Sequence, residues 1–451
     1  MKRTQLRAVV LTWTVVGLFV GLTISEASVA YIIQEGNTMA KTWIKVARSP
    51  NLLDNRIGGD YGSDPNVTEH IFDLGLKWVR LGFWNSGLNW QRVRRAPGSY
   101  AIDTAPDNFV TDLAEGGITV VMTMGVGDGR SRGDDMWRIT PSALDDYREY
   151  VRTLVQHFKD RVQYFEIWNE PDTGTNWGRI PPIDYARLVR HVAPVIRKEA
   201  PEAKIVIGAI GGWWQPKFPG YGNASRYTLH REYLEEVLCS GIAPLVDVIS
   251  WHPFYGHRPD DPYYQNYTKM VGEIRRLAAV QGFKGEYLVE EALWRVESAD
   301  EPQGPVSAIV SAKYIARTIV MHRGLDITVT VSGMFPGKCP DVTRRLCTIL
   351  AGAEADDFPV VLHTESSEVV YYGFQLPNGD RLIALWSNGV AVDDDSGIVA
   401  DITCQVAVSG AIGLDVLNGY QQALDIEGGV KNTRIRGLYV PDYPILIRLQ
   451  R

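Results

Sequence analysis

The sequence predicts an α/β protein in which a (β/α)8 TIM barrel carries a smaller C-terminal antiparallel β-domain of the sandwich type. From about residue 50 to 336, short apolar runs alternate with amphipathic stretches, which is the pattern of a βα barrel. After about residue 337 the helical periodicity disappears, and strand-like runs separated by turn residues follow. The 451 residues are 45% hydrophobic and 22% charged, so the chain is long enough for one large domain and one smaller one.

The barrel region, residues 50–336, contains eight apolar runs of strand length. The first of them is short and rich in glycine. The predicted strands are residues 56–59, 77–83, 118–124, 162–169, 204–210, 246–252, 286–291 and 327–334.

Helical stretches lie between these runs. Residues 141–159 begin with Pro141 at a first-turn position after Thr140, which is a suitable N-cap. Residues 183–199 carry an acidic residue near their start and are stopped by an Ala-Pro pair. Residues 307–323 form a third helical stretch.

The region 337–451 is predicted to be an all-β domain. Its apolar runs are residues 368–375, 381–386, 413–417 and 438–449. The sequence Pro-Asn-Gly-Asp at residues 377–380 is a hairpin turn between two of these runs. Residues 41–47, which precede the barrel, are a candidate for one more strand of this domain. Because no long linker is present, we expect the two domains to pack rigidly.

Residues 1–30 have the layout of an export signal. Three basic residues precede an apolar stretch at residues 8–24, and the small residues Ser28 and Ala30 suit cleavage after Ala30. A membrane anchor is the alternative, although 17 residues in a helix reach only about 25 Å of the roughly 30 Å hydrocarbon core. Either reading predicts a secreted or extracytoplasmic protein that contacts a membrane only through residues 8–24.

The charge and the cysteines exclude several classes of function. A net charge of −7 argues against nucleic acid or an anionic membrane surface as a partner. The four cysteines match no zinc or redox motif. Cys339 and Cys347 flank a predicted short loop, and they form either a small disulfide or two unpaired buried thiols. The sequence gives no indication of the oligomeric state.

Two strand ends deliver carboxyl groups to the predicted mouth of the barrel. The run at residues 164–171 reads Tyr-Phe-Glu-Ile-Trp-Asn-Glu-Pro, and Pro171 must end the strand because it cannot continue a central sheet. Asn169 and Glu170 therefore lie at the C-terminal end of a barrel strand, where active sites are found. The run at residues 286–294 ends similarly with Glu290 and Glu291. An isolated glutamate at a strand end is usually a surface group, but two on separate strands suit glycoside hydrolysis.

With these motifs, residues 50–336 resemble the retaining glycoside hydrolases of TIM-barrel clan A. The β-xylosidase and arabinosidase-like families with a side β-domain look most similar. The resemblance implies that Glu170 is the general acid/base and that Asn169 hydrogen-bonds the sugar 2-hydroxyl. The nucleophile is Glu290 or Glu291, and Trp294 three positions on favours Glu291. Side-chain alternation predicts that only one of the two faces the pocket, which leaves Glu290 a structural salt bridge or hydrogen bond.

Further site residues follow from the same resemblance. Arg80 matches the arginine that keeps the nucleophile ionised, with a surface ion pair as the alternative. His252 and Tyr255 match groups that contact the two carboxylates. The clan frequently has a tryptophan at the end of the eighth strand, and this chain does not. The sugar platform is therefore expected to be one of three aromatic residues, namely Phe335, Trp294 or Trp84.

These observations predict a retaining O-glycoside hydrolase that cleaves a β-type bond by double displacement and needs no metal or organic cofactor. The expected substrate is a plant or microbial polysaccharide or oligosaccharide, such as a xyloside, an arabinoside or a glucan. The carboxyl groups of Glu170 and Glu291 should lie roughly 5–5.5 Å apart. A transglycosylase using the same site is one alternative. A non-catalytic carbohydrate-binding surface protein is another, but such a protein needs no paired carboxylates.

Overall fold

The computed structural model describes residues 33–82, 86–125, 141–172, 180–211, 229–253, 262–292, 306–331, 338–366, 368–429 and 432–451. Residues 33–451 form one compact unit. The predicted export signal or anchor at residues 1–30 lies outside the described residues. Among the helices of the described ranges, none is long and apolar enough to cross a membrane.

Eight parallel strands form a closed barrel, as predicted. The barrel closes because the sixth strand pairs with the seventh, and the eighth pairs with the first. Each strand overlaps one of the predicted apolar runs. In chain order the barrel strands are Ile57–Tyr61, Trp78–Leu81, Thr119–Met124, Tyr164–Ile167, Lys204–Gly211, Val248–His252, Glu286–Ala292 and Thr328–Val331.

The glycine-rich first strand is explained by its close contact with the second. A Cβ atom on Gly58 would lie 2.5 Å from the carbonyl oxygen of Trp78, a distance that no real side chain tolerates. Glycine is needed here because the two backbones approach too closely for a larger residue.

Helices surround the barrel, and the three predicted from their ends are confirmed. The third begins at its cap, where the Ser307 hydroxyl accepts a hydrogen bond of 3.1 Å from the Val310 N–H. The α-helices are Thr68–Leu74, Trp90–Val93, Thr104–Glu115, Pro141–Phe158, Pro182–Glu199, Leu229–Val237, Pro262–Val280, Ala308–Gly324 and Cys339–Ile349. Short helical turns occur at Ser49–Asn51, Pro65–Val67, Leu238–Ile242 and Ala243–Leu245.

The helix Cys339–Ile349 corrects two predictions. Helical periodicity does not end at about residue 337, because this helix follows the eighth barrel strand. Cys339 and Cys347 lie within the helix and do not flank a loop. A rise of 1.5 Å per residue separates them by about 12 Å, well beyond the roughly 7 Å Cα separation that a disulfide can bridge. The disulfide alternative is wrong, and both cysteines are buried free thiols.

The C-terminal region forms two antiparallel sheets. A separate small hairpin lies within the barrel region of the chain. The seven-stranded sheet has the order Lys41–Trp43, Tyr420–Leu424, Gly410–Asp415, Ile445–Gln450, Arg381–Ser387, Val369–Gln375 and Glu354–Ala355. The four-stranded sheet has the order Val360–His363, Ile398–Cys404, Asn432–Val440 and Glu427–Gly429. The hairpin pairs Arg94–Ala96 with Ser99–Tyr100. The candidate strand before the barrel thus pairs with the larger sheet.

The last predicted run, residues 438–449, is two strands and not one. Pro441 and Pro444 interrupt it, and the parts before and after them belong to different sheets. Proline has no N–H to donate to a ladder, which explains the break. The turn at residues 377–380 is confirmed, with Gly379 at a φ of 89° between two paired strands.

Buried polar contacts join the helix Ala308–Gly324 to the C-terminal sheets. The Lys313 ammonium lies 2.7 Å from the Asp442 carboxylate, and both side chains are buried. Arg317 donates hydrogen bonds to the carbonyl oxygens of Asp442, Gly389 and Ser387. Because buried charges require such partners, these contacts fix the sheets against the barrel helix.

Candidate active site

The strand ends at the barrel mouth are unusually strained. Four residues there that are not glycine have a positive φ, namely Trp168 at 73°, Glu170 at 44°, Ala209 at 41° and Glu291 at 49°. Such residues seldom adopt this conformation, and it concentrates at functional sites. The strain therefore marks the ends of the fourth, fifth and seventh strands as the candidate active site.

Glu170, Glu291 and His252 meet at this mouth. The His252 Nδ1 atom lies 2.9 Å from Oε1 of Glu170 and 3.5 Å from Oε2 of Glu291. One oxygen of each glutamate and one ring nitrogen of the histidine all lie within 4.8 Å of one another. The structure thus brings together the two carboxyl groups that the sequence placed on separate strands.

Arg80 lies at the centre of the site. Its side chain is 1% exposed, so the alternative of a surface ion pair is wrong. Its Nη1 donates to Oε1 of Glu291 at 2.6 Å, and its Nη2 donates to Oδ1 of Asn169 at 2.6 Å. The Asn169 Nδ2 group is buried without a hydrogen-bond partner in the described part of the chain. The site therefore holds a donor that a ligand hydroxyl can use.

Glu290 and Glu291 both face the barrel interior, which contradicts the expectation that only one would do so. The strand register shifts between Val289 and Ala292, and Glu291 has a positive φ. A bulge of this kind breaks the alternation of side chains. Glu290 is buried deeper, with its Oε1 3.4 Å from the Arg80 Nε, so it has the structural contact that was expected of it.

Sequence reasoning missed two carboxyl groups that also contact Arg80. Glu166 accepts hydrogen bonds from Arg80 Nε at 3.0 Å and Nη2 at 2.8 Å. It accepts two more, from Thr123 at 2.7 Å and from Ser250 at 2.9 Å. Asp60, at the end of the first barrel strand, lies 3.6 Å from Arg80. The available signal was a glutamate within the apolar run Tyr-Phe-Glu-Ile-Trp, since a charge inside a buried strand needs a buried partner.

The carboxyl groups of the site have different proton affinities. Burial raises the pKa of Glu170, and the hydrogen bond to His252 opposes this shift only in part. Burial also raises the pKa of Asp60 to about 7, despite the Arg80 charge. For Glu166 burial acts in the same sense, but Arg80 and other partners outweigh it and lower the pKa. The lowered pKa favours the ionised form of Glu166 beside Arg80.

The surrounding carboxylates raise the pKa of both basic groups of the site, His252 and Arg80. Burial alone would lower the pKa of His252, but the charge of Glu291 and the hydrogen bond to Glu170 raise it. The pKa of Arg80 lies well above its usual range, because the surrounding carboxylates outweigh burial. A carboxyl group of raised pKa beside a carboxyl group that accepts a hydrogen bond from an arginine is the arrangement that acid-assisted nucleophilic substitution needs.

Four predicted site residues, Tyr255, Trp294, Trp84 and Phe335, lie outside the described residues. Their roles as a hydrogen-bonding group and as sugar platforms stay predictions.

No protein-family model matches the chain. The chain is 23% identical to beta-glucosidase 11 of Oryza sativa subsp. japonica over 140 residues. These residues are 29% of this chain and 26% of that protein. Over 135 residues it is 27% identical to myrosinase 1 of Brevicoryne brassicae, with 28% of each chain covered. The matched part thus spans about a quarter of the length of these curated relatives.

Solved structures match over most of the chain. A family 39 glycoside hydrolase from Bacteroides cellulosilyticus WH2 superimposes with a TM-score of 0.62 at 16% identity, covering 90% of this chain and 82% of that one. A monomeric beta-xylosidase from Caulobacter crescentus CB15 superimposes with a TM-score of 0.54 at 15% identity, covering 89% of this chain and 98% of that one. A family 51 α-L-arabinofuranosidase from Bifidobacterium longum superimposes with a TM-score of 0.53 at 14% identity, covering 92% of this chain and 100% of that one. The resemblance to clan A is confirmed for the fold.

Proposed function

We propose that this protein is a retaining O-glycoside hydrolase that acts by double displacement. The observation that carries the proposal is the pairing of Glu170 and Glu291, whose nearest oxygens lie within 4.8 Å of each other and of His252. This distance fits the roughly 5–5.5 Å carboxyl separation of retaining enzymes and not the roughly 6.5–9.5 Å of inverting ones.

The proposed first step is glycosylation of the enzyme. A Glu291 oxygen forms a bond to the anomeric carbon while the bond to the leaving oxygen breaks, and Glu170 gives that oxygen its proton. The raised pKa of Glu170, caused by burial, supports its role as the acid. The hydrogen bond of 2.6 Å from Arg80 supports an ionised Glu291 as the nucleophile.

The proposed second step is hydrolysis. Glu170, now ionised, takes a proton from water as the oxygen attacks the anomeric carbon, and the bond to Glu291 breaks with the electron pair returning to the carboxylate. Configuration is retained because the carbon is inverted twice. Asn169 is proposed to donate its free amide N–H to the sugar 2-hydroxyl, and its buried, unpartnered Nδ2 supports this role.

We propose a xyloside, an arabinoside or a glucan from a plant or microbial polysaccharide or oligosaccharide as the substrate. The similarity in fold to a beta-xylosidase and an arabinofuranosidase supports this choice. A secreted or extracytoplasmic location, reached through residues 8–24 as signal or anchor, fits the same substrates and is likewise a proposal. A transglycosylase would use the same residues, and product analysis with an added alcohol acceptor separates the two.

The test is a panel of aryl glycosides with wild type, Glu291→Ala and Glu170→Ala. Glu291→Ala should lose turnover and, with azide, form a glycosyl azide of inverted configuration, because azide fills the space of the missing nucleophile. Glu170→Ala should keep activity on substrates whose leaving group needs no proton, lose about 10²–10⁴-fold on others, and give a retained azide adduct.

Glu286→Gln is a matched control. It removes a carboxylate from the opposite end of the same strand, where Glu286 accepts a hydrogen bond from Tyr164. Its turnover should match that of the wild type. The proposal fails if the wild type cleaves none of the panel, and the nucleophile assignment fails if Glu291→Ala stays active.

A further inference from the structure

We propose that Glu290 is a positioning residue that carries a proton and is therefore neutral. In this state it does not compete for Arg80, which binds Glu291, or for His252, which binds Glu170. This inference rests on the proposed glycosidase function and concerns the same site. The Glu290 side chain is fully buried and has no contact with solvent.

Four of the five N–H donors of Arg80 are engaged by partners other than Glu290, and Nη1, which carries the fifth, lies 3.6 Å from Asp60. Its Nε and Nη2 donate to Glu166, Nη1 donates to Glu291, and Nη2 also donates to Asn169. The contact with Glu290 is the longer one of 3.4 Å to Nε, an atom already hydrogen-bonded to Glu166. An ionised Glu290 would therefore have to draw Arg80 away from its other partners.

The charges of the cluster do not balance without additional protons. Five carboxyl groups contact one arginine and one histidine, so full ionisation would give five negative charges against at most two positive ones. The carboxyl groups are those of Asp60, Glu166, Glu170, Glu290 and Glu291. Buried charges are tolerated only when they are paired, so part of this cluster must be protonated.

Glu290 is the member of the cluster best suited to carry a proton. Neither of its oxygens accepts a hydrogen bond from the described residues, whereas Glu166 accepts four. Burial, followed by the charge of Glu166, raises the pKa of Glu290 well above its usual range. The oxygens of Glu166 are already held by Arg80, Thr123 and Ser250, so a proton shared between the two acids belongs on Glu290, which can donate it toward Glu166.

The neutral state of Glu290 also determines how His252 is oriented. The His252 Nε2 atom is buried without a hydrogen bond among the described residues and faces Oε2 of Glu290 at 3.9 Å. The charged groups around Glu290 are Arg80, Glu166 and His252, from the second, fourth and sixth strands. The described part of the eighth strand, Thr328–Val331, carries none. An ionised Glu290 would attract the histidine proton to Nε2. A neutral Glu290 leaves Nδ1 free to hydrogen-bond Glu170.

The test compares Glu290→Gln with Glu290→Ala. Glutamine keeps the shape and can donate to Glu166 through its amide, so kcat/KM on the best aryl glycoside should stay within about threefold of wild type. Alanine removes that donor and leaves a cavity, so kcat should fall at least about tenfold while KM changes little. Glu166→Gln is the matched contrast. It replaces the acceptor of two Arg80 hydrogen bonds by an amide and should lose far more activity than Glu290→Gln.

Two measurements do not depend on turnover. The infrared carbonyl band of a protonated carboxylic acid should be present in the wild type and weaker in Glu290→Gln. The melting temperature of Glu290→Gln relative to wild type should rise from acidic to alkaline pH. The reason is that an acid whose folded pKa is raised loses its contribution to stability as pH increases, and glutamine does not titrate.

The inference is overturned if Glu290→Gln is as inactive as Glu291→Ala, or if its carboxylic acid band is unchanged. A wild type that cleaves no glycoside but shows a band that weakens in Glu290→Gln would reject the proposed function and leave the protonation of Glu290 standing.

Discussion

Replacing Arg80 by lysine keeps the buried positive charge but removes the planar fork of donors. In the structure the guanidinium makes four hydrogen bonds to three side chains, namely Glu166, Glu291 and Asn169. Glu166 and Asn169 belong to the fourth strand and its end, and Glu291 belongs to the seventh. A single ammonium nitrogen cannot occupy the three directions from which these acceptors are reached. We expect two of the three acceptors to lose their donor.

The magnitude follows from those lost contacts. A hydrogen bond to a charged group contributes about 1.5–3 kcal/mol, so two of them amount to about 3–6 kcal/mol. A part of this should appear as stability, and we expect Arg80→Lys to lower the free energy of unfolding by about 1–3 kcal/mol. The rest should appear in kcat/KM, where about 3 kcal/mol corresponds to a loss of roughly 10²-fold.

Guanidinium denaturation and aryl glycoside hydrolysis at neutral pH measure the two effects. Arg48→Lys is the control, because Arg48 also pairs with two carboxylates but its side chain is 49% exposed. That variant should stay within about 0.5 kcal/mol of the wild type. If Arg80→Lys kept both its stability and its activity at the level of the control, the donor geometry of Arg80 would not organise the site.

Two further predictions concern the barrel and the acid. Gly58→Ala should lower the free energy of unfolding, measured in urea, by about 1–3 kcal/mol, because the new Cβ would lie 2.5 Å from the Trp78 carbonyl oxygen. An unchanged free energy of unfolding would mean that the two strands separate easily. His252→Asn should shift the alkaline limb of kcat/KM to higher pH, because the His252 hydrogen bond lowers the pKa of Glu170, which burial raises. A limb that moves to lower pH would show that another group titrates there.

The barrel could be predicted because its signals are local. Apolar runs, helix ends and stopping prolines identify each strand without knowledge of its neighbours, so all eight strands overlap their predicted runs. The failures occurred where distant contacts decide the structure. Helix Cys339–Ile349 is the exception, because its local signals were present and were read as a loop. It has Pro340 in its first turn and the apolar residues Val342, Leu346 and Ile349 at helical spacing.

The site was predictable in part for the same reason. Asn169 and Glu170 were recognisable because proline ends their strand, but the depth of Arg80 depends on acceptors from other strands. Glu166 was passed over since a single glutamate in an apolar run does not indicate which cation it meets. Only the closed barrel brings the ends of the second, fourth and seventh strands together.

The positions of Glu290 and Glu291 show why side-chain alternation failed at the most important strand. An ideal strand would direct one of the two glutamates outward, where it could not reach Arg80. The register shift and the positive φ of Glu291 direct both inward, so that one lies at the mouth and the other beneath it. Backbone strain of this kind costs about 1–3 kcal/mol and persists only where surrounding contacts hold it. Here Arg80 supplies those contacts, at 2.6 Å to Glu291 and 3.4 Å to Glu290, so the arginine that orients Glu291 also maintains the bulge that presents it.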